Sequence, residues 1–193
     1  MNVTLCRVLA AIYRAFCRVF RPVTVEGLER LPKEGAVIVY ANHRNFRDPI
    51  ILHAHLMRPM HYMGKKEIFK NRLLARALTA IGVFPVARGS ADMNAIRTSL
   101  SILRDGGALG IFPEGHRYTD GEIHEAGNGT ALIALRSGAR AVPVRIFGGY
   151  GLFQRIRVHV GPPVDLSDFG ARADSASLRA ATERLMDALK ALD

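Results

Sequence analysis

The sequence has no tryptophan, only two cysteines, 17 acidic residues against 27 lysines and arginines, and no apolar run of bilayer-spanning length. Each shortage excludes something. Cys6 and Cys17 share one N-terminal segment, with neither CxxC spacing nor a histidine beside them, so no metal site and no disulfide framework is expected and a reducing cytoplasm is the default. The longest strictly apolar run near the N-terminus is Val8 to Tyr13, far short of the ~20 residues that a spanning helix needs. That segment also lacks the charged start, apolar centre and small-residue cleavage site of a secretory signal. The deficit of acid leaves a net charge of +10, which implies an anionic partner: nucleic acid, an anionic membrane or a phosphorylated substrate. Gly-x-Ser-x-Gly, Gly-x-x-x-x-Gly-Lys-Ser/Thr and a Gly-x-Gly-x-x-Gly after a strand are all absent, which weakens the serine hydrolase, nucleoside triphosphate and dinucleotide readings.

What is present is enough for one core. The chain has 193 residues, 49% of them hydrophobic, with no internal repeat, low-complexity tract or long linker. Short β-branched runs at 23–26, 36–40, 60–63, 83–86, 108–112, 141–147 and 156–160 read as strands. They are interleaved with helical periodicity at 50–57, 67–81, 93–103, 130–136 and 175–192, the second of these closed by Gly82. Strand and helix in alternation predict a single α/β domain, a mostly parallel central sheet flanked by helices.

Ahead of it, residues 1–21 form a separate amphipathic helix and 22–193 the main domain. At about 100° per residue, Arg7, Arg14, Arg18 and Arg21 fall within roughly 60° of one another. Leu5, Val8, Leu9, Ile12, Phe16, Val19 and Phe20 fill the opposite side, and Pro22 ends the helix. One reading is a surface helix packed on the core. The other, preferred here because the polar face is almost purely arginine, is a helix lying in the interface of a membrane with anionic lipids. Nucleic acid is not expected as a partner, since no recognised module is present and a continuous apolar face would serve no purpose on it.

The run Ala36 to Tyr40 leads into Asn42-His43-Arg44-Asn45-Phe46-Arg47-Asp48-Pro49, and Asp48-Pro49 opens the helix at 50–57 with Asp as N-cap and Pro at the first helical position. Residues five apart on one helix point about 140° from each other, so His43 and Asp48 can meet only across a turn. Two further clusters follow strands in the same sense, Arg88-Gly89 and Pro113-Glu114-Gly115-His116-Arg117. Ligands of such sheets bind beyond the carboxyl ends of the strands. An imidazole, two carboxylates and several guanidiniums at one edge would suit acyl or phosphoryl chemistry on an anion. His43 oriented by Asp48 has the parts of a general base, and Arg88 and Arg117 those of a phosphate fork. Taken singly, each cluster has a plainer reading as a turn, a cap or solvated arginines. His53, His55, His61 and His159 are read as structural, since His53 and His55 lack the spacing of a helical metal pair.

In combination the motifs resemble a known family. Asn42 to Pro49 is similar to the NHxxxxD block of the 1-acyl-glycerol-3-phosphate acyltransferases, membrane-associated enzymes of phospholipid synthesis. Gly82 to Arg88 resembles their second block, Phe112-Pro113-Glu114-Gly115-His116-Arg117 their FPEGxR block and Val142-Pro143-Val144 their fourth, in order and spanning roughly Pro22 to Pro163. The resemblance implies that His43 takes the proton from an acceptor hydroxyl as it attacks an acyl thioester, with Asp48 fixing the imidazole and no acyl-enzyme required. Arg88, Glu114, Gly115 and Arg117 would hold the glycerol phosphate end of lysophosphatidic acid, and Pro143 would shape the pocket wall. Acyl-CoA or acyl-carrier protein would be the co-substrate, with no further cofactor, at the cytoplasmic face of the membrane in a peripheral or monotopic protein. Two departures bear on the acceptor. His116 stands where Thr or Ser is common, and Gly127-Asn128 replaces a frequent basic residue. Another lysophospholipid or an acylated amine is therefore the alternative acceptor, and a non-enzymatic lipid-binding protein the alternative class.

Overall fold

The run at 36–41 becomes the centre of the sheet in this computed structural model, which describes residues 1–87, 92–170 and 174–192. In chain order the elements are α1 (Val3–Phe20), β1 (Val23–Glu26), β2 (Val37–Ala41), α2 (Asp48–His55), β3 (His61–Lys65), α3 (Arg72–Ala80), β4 (Val83–Val86), α4 (Met93–Arg104), β5 (Ala108–Ile111), α5 (Gly129–Ser137), β6 (Arg140–Gly148), β7 (Ile156–Val160) and α6 (Ser175–Lys190). They build one seven-stranded sheet in the order β1-β7-β6-β2-β5-β3-β4. Every neighbouring pair is parallel except β6 and β7. The carboxyl ends of β2, β3, β4, β5 and β6 therefore open on one edge, as the alternating pattern predicts.

All five residues of β2 are buried, and the two-residue period of a strand divides them between two cores. Val37, Val39 and Ala41 pack with Ile51 and Leu52 of α2 on one side of the sheet. Ile38 and Tyr40 pack on the other, with Leu103 of α4, Ala131 of α5 and Leu185 of α6. The Tyr40 hydroxyl also donates to the Leu185 carbonyl at 2.9 Å, which satisfies a polar group buried under α6. On β5, a methyl group at Gly110 would overlap the Tyr62 ring, so glycine there is what lets Tyr62 lie flat on the sheet.

One predicted helix is divided. Residues 67–81 do not form a single helix: Lys66–Phe69 is a 3-10 turn and α3 begins only after Asn71. The cause is local, since the Asn71 side chain accepts the N–H groups of Leu73 and Leu74 at 3.0 and 3.1 Å and so starts a new helix.

Helix α1 takes something from each of its two readings. A narrow seam of small residues, Cys6, Ala10 and Cys17, is buried, and Arg14 donates to the Ala54 carbonyl at 2.7 Å, placing a cation at the C-terminal end of α2. Arg21 lies half-buried over the Phe16 ring. Arg7 and Arg18 remain exposed. The broad apolar arc is left uncovered, with Ile12 62% and Val19 63% exposed. Among the described residues no helix is long and apolar enough to cross a membrane.

Burial pushes the imidazoles of His53, His55 and His61 below their ordinary 6.5. The unfolded chain then binds more protons than the folded one as pH falls through 6.5, so this contribution to stability is intact above that pH and is lost below it. The melting temperature should hold steady from about pH 7 to 8 and fall below about 6.5, and His53→Gln, His55→Gln and His61→Gln combined should flatten that fall. An unchanged slope in the triple variant would contradict it.

Candidate active site

Three strand exits build the site. β2 ends at Ala41, and the side chain of Asn42 continues its pairing with β6: its Nδ2 donates to the Ile146 carbonyl at 3.1 Å and its Oδ1 accepts the Ile146 N–H at 2.8 Å. The chain can therefore leave the sheet at a fixed point without orphaning the buried backbone of β6. His43, next in line, is held on both of its backbone sides by the turn that follows β5. Its N–H donates to Glu114 Oε1 at 3.2 Å, and its carbonyl accepts the Tyr118 N–H at 2.9 Å. Its ring stacks on Phe112, with centroids 4.1 Å apart.

His43 and Asp48 do meet across the turn. Nδ1 of His43 lies 2.9 Å from Oδ2 of Asp48, which also accepts the N–H groups of Arg44 and Asn45 at 2.7 Å each. The other oxygen, Oδ1, accepts the Tyr150 hydroxyl. Asp48 is fully buried and the His43 side chain is 11% exposed. A carboxylate facing Nδ1 makes that nitrogen the donor and leaves Nε2 as the basic one.

The sequence reading of Asp48 as N-cap is corrected here. The cap position is Arg47, which makes no side-chain capping bond, while Asp48 is already the first residue of α2. Its carboxylate points backwards because three donors from residues 43–45 converge there, more than the one or two N–H groups of a helix start could offer.

The octet's arginines serve the same centre. Arg44 Nη1 donates to the Gly148 carbonyl and Arg47 Nη1 to the Tyr150 carbonyl, both at 3.0 Å, so they fasten the loop after β6 over Asp48. Burial, together with the negative charge of Asp48, pushes the Tyr150 phenol well above its ordinary range. Tyr150 was not among the residues expected from sequence. The available signal was Gly148-Gly149-Tyr150-Gly151, a glycine-rich exit following β6 in the same sense as the other clusters.

Of the residues expected on the substrate, Glu114 is 6% exposed and holds the His43 backbone with Oε1. Burial raises this carboxyl above its usual range, and the His43 N–H opposes the shift. Gly115 closes the turn by donating to the Phe112 carbonyl at 3.0 Å, with φ of 67°, a conformation that glycine adopts without strain. Arg117 is exposed, one residue from the Tyr118 amide that binds His43. Arg88 lies outside the described residues. Pro143 is buried within β6, opposite Tyr40 of β2. Among the described residues no three His, Cys, Asp or Glu side chains are grouped as metal ligands would be.

The arrangement offers a buried, fully bonded carboxylate, an oriented imidazole with a free nitrogen, and a cationic surface beside it, parts that suit proton removal from a hydroxyl during acyl transfer. Known proteins resemble the chain over most of its length. The 1-acyl-sn-glycerol-3-phosphate acyltransferase of Bacillus subtilis is 31% identical over 177 residues, covering 89% of this chain and 88% of that one. The enzyme of the same name from Streptococcus pneumoniae is 30% identical over 164 residues, covering 81% of this chain and 60% of its own. The crystal structure of the 1-acyl-sn-glycerophosphate (LPA) acyltransferase PlsC from Thermotoga maritima shares the fold, with a TM-score of 0.76 over 98% of this chain and 78% of that chain at 23% identity. The Acyltransferase family profile matches residues 22–147. This span includes β2, the octet and the turn after β5, and the chain belongs to the acyltransferase family.

Proposed function

We propose that the protein transfers a fatty acyl group from acyl-CoA or acyl-carrier protein to the sn-2 hydroxyl of 1-acyl-glycerol-3-phosphate, giving phosphatidic acid for phospholipid synthesis. The observation that carries the reading is the contact between His43 Nδ1 and fully buried Asp48, which leaves Nε2 free to act as base. The names of the relatives from Bacillus subtilis and Streptococcus pneumoniae support the acceptor.

The acceptor oxygen attacks the thioester carbonyl while its proton passes to His43 Nε2. The tetrahedral intermediate collapses with cleavage of the C–S bond, and the departing thiolate recovers the proton from the imidazolium. Asp48 compensates the positive charge that the ring carries between those two transfers. Arg117 and Arg88 are assigned to the phosphate of the acceptor, with Gly115 and Glu114 lining the glycerol end, and no further cofactor enters the scheme.

The work is assigned to the cytoplasmic face of a membrane with anionic lipids. Supporting this, the uncovered face of α1 continues into the loop beside the dyad: Phe153 donates its N–H to the Phe20 carbonyl at 2.7 Å, and the two rings lie 6.3 Å apart. Phe153 is 71% exposed and Phe46, in the octet, 60%. Large apolar side chains left in water on α1, in the octet and in the loop after β6 suit a substrate that stays in a bilayer.

With acyl-CoA and lysophosphatidate, His43→Ala should cut thiol release by about 100- to 10,000-fold, the usual worth of a general base. Equal release by the wild type and His43→Ala would overturn the mechanism. For the membrane, Ile12→Asp with Val19→Asp changes only exposed positions, so the melt should stay as it is while flotation on anionic vesicles at raised salt is largely lost. Undiminished flotation of that variant would remove α1 from the interface.

A further inference from the structure

Asp48 receives four donors, and one of them comes from far along the chain. His43, Arg44 and Asn45 occupy Oδ2. Among the described residues only the Tyr150 hydroxyl, 102 residues away in sequence, bonds Oδ1. With Oδ1 free, a carboxylate could rotate about its bond to Cβ and offer His43 either oxygen; with both oxygens bonded from different directions, a single orientation remains. The phenol is itself restrained. Its ring packs against the core on the α2 side of the sheet, its carbonyl is gripped by Arg47, and the loop carbonyl two residues earlier is gripped by Arg44, whose guanidinium lies 6.0 Å from the ring centroid. Arg44 and Arg47 thus spend donors on the loop that carries Tyr150. The loop begins just past the 22–147 stretch matched by the family, so the catalytic block and the tyrosine that braces it belong to different segments.

We propose that Tyr150 is a positioning residue for acyl transfer, its hydroxyl holding the Asp48 carboxylate in the orientation that aims the His43 imidazole at the acceptor hydroxyl. Tyr150 touches no reacting atom in this scheme and acts only through Asp48. The proposal rests on the reading of His43 as the base. A phenol kept protonated by burial and by the neighbouring carboxylate is a donor across the whole working pH range, in line with the upward push on Tyr150.

The test is a double-substitution cycle on the full chain, with acyl-CoA and lysophosphatidate as substrates. Tyr150→Phe keeps the ring and removes the donor. It should lower kcat by about 10-fold, as expected for one hydrogen bond to a charged group, with KM for both substrates unchanged within about 2-fold. In an Asp48→Asn background the same substitution should cost less than about 2-fold, since its effect passes through the carboxylate. An equal loss in the two backgrounds, or wild-type kcat for Tyr150→Phe, would overturn the positioning role. Incorporation of 3-fluorotyrosine at position 150 keeps both ring and hydroxyl and should restore most of the wild-type kcat. A 3-fluorotyrosine protein as slow as Tyr150→Phe would also overturn it, and this readout stands even where Tyr150→Phe melts early. His43→Ala separates the two layers of the account: a fully active His43→Ala removes the base itself, whereas an inactive His43→Ala beside a wild-type Tyr150→Phe removes only the brace.

Discussion

The buried carboxylate of Asp48 is the interaction on which the site depends. A charge out of contact with water is tolerated only when polar partners replace its hydration, and here the partners come from His43, Arg44, Asn45 and Tyr150. Meeting that demand shapes the neighbourhood. The turn at 43–48 must close tightly enough to aim two backbone N–H groups at one oxygen, α2 must begin where the turn ends, and the exit of β6 must bend back over the same spot. Glu114 and Tyr118, after β5, then hold the His43 backbone from the other side. The three central strands β6, β2 and β5 are neighbours in the sheet, so the constraint is carried by the most buried part of the molecule.

Helix α1 answers a different constraint. Its contact with the rest of the protein runs through Cys6, Ala10 and Cys17, side chains small enough to let it sit close to α2, and this leaves the larger apolar residues outside. A helix whose big residues face out and whose small residues face in has the pattern reversed from that of an ordinary surface helix. The arginine stripe is divided between uses, since Arg14 is committed to the end of α2 while Arg7 and Arg18 are free to meet solvent or headgroups. The link from Phe20 to Phe153 places the far end of α1 on the loop that carries Tyr150, so the apolar face and the catalytic centre share one structural element.

Periodicity in the sequence carried the element order and the meeting of His43 with Asp48 across a turn, because each depends on residues close together in the chain. It failed where a nearby choice was decided by distant atoms. Asp48-Pro49 has the form of a helix cap, yet the carboxylate turns back to residues 43–45 and is also bonded by Tyr150, 102 residues further along the chain. Glu114 carries the form of a substrate ligand, and nothing near it in the chain shows that its Oε1 also holds the backbone of His43, 71 residues away. Nothing in the segment around Tyr150, apart from its glycines, marks a residue that braces another. The split of residues 67–81 at Asn71 is the opposite case, a local cap within a stretch that the sequence reading took as one helix.

The central claim is that Asp48 fixes His43 with its proton on Nδ1 and its lone pair on Nε2. The ¹⁵N shifts of the His43 imidazole, measured in the resting protein at about pH 8 where an ordinary histidine is neutral, report this directly. The account predicts a protonated, pyrrole-like Nδ1 and an unprotonated, pyridine-like Nε2. The reverse assignment, with the proton on Nε2, would leave no base at the position where the acceptor hydroxyl must lose its proton and would contradict it.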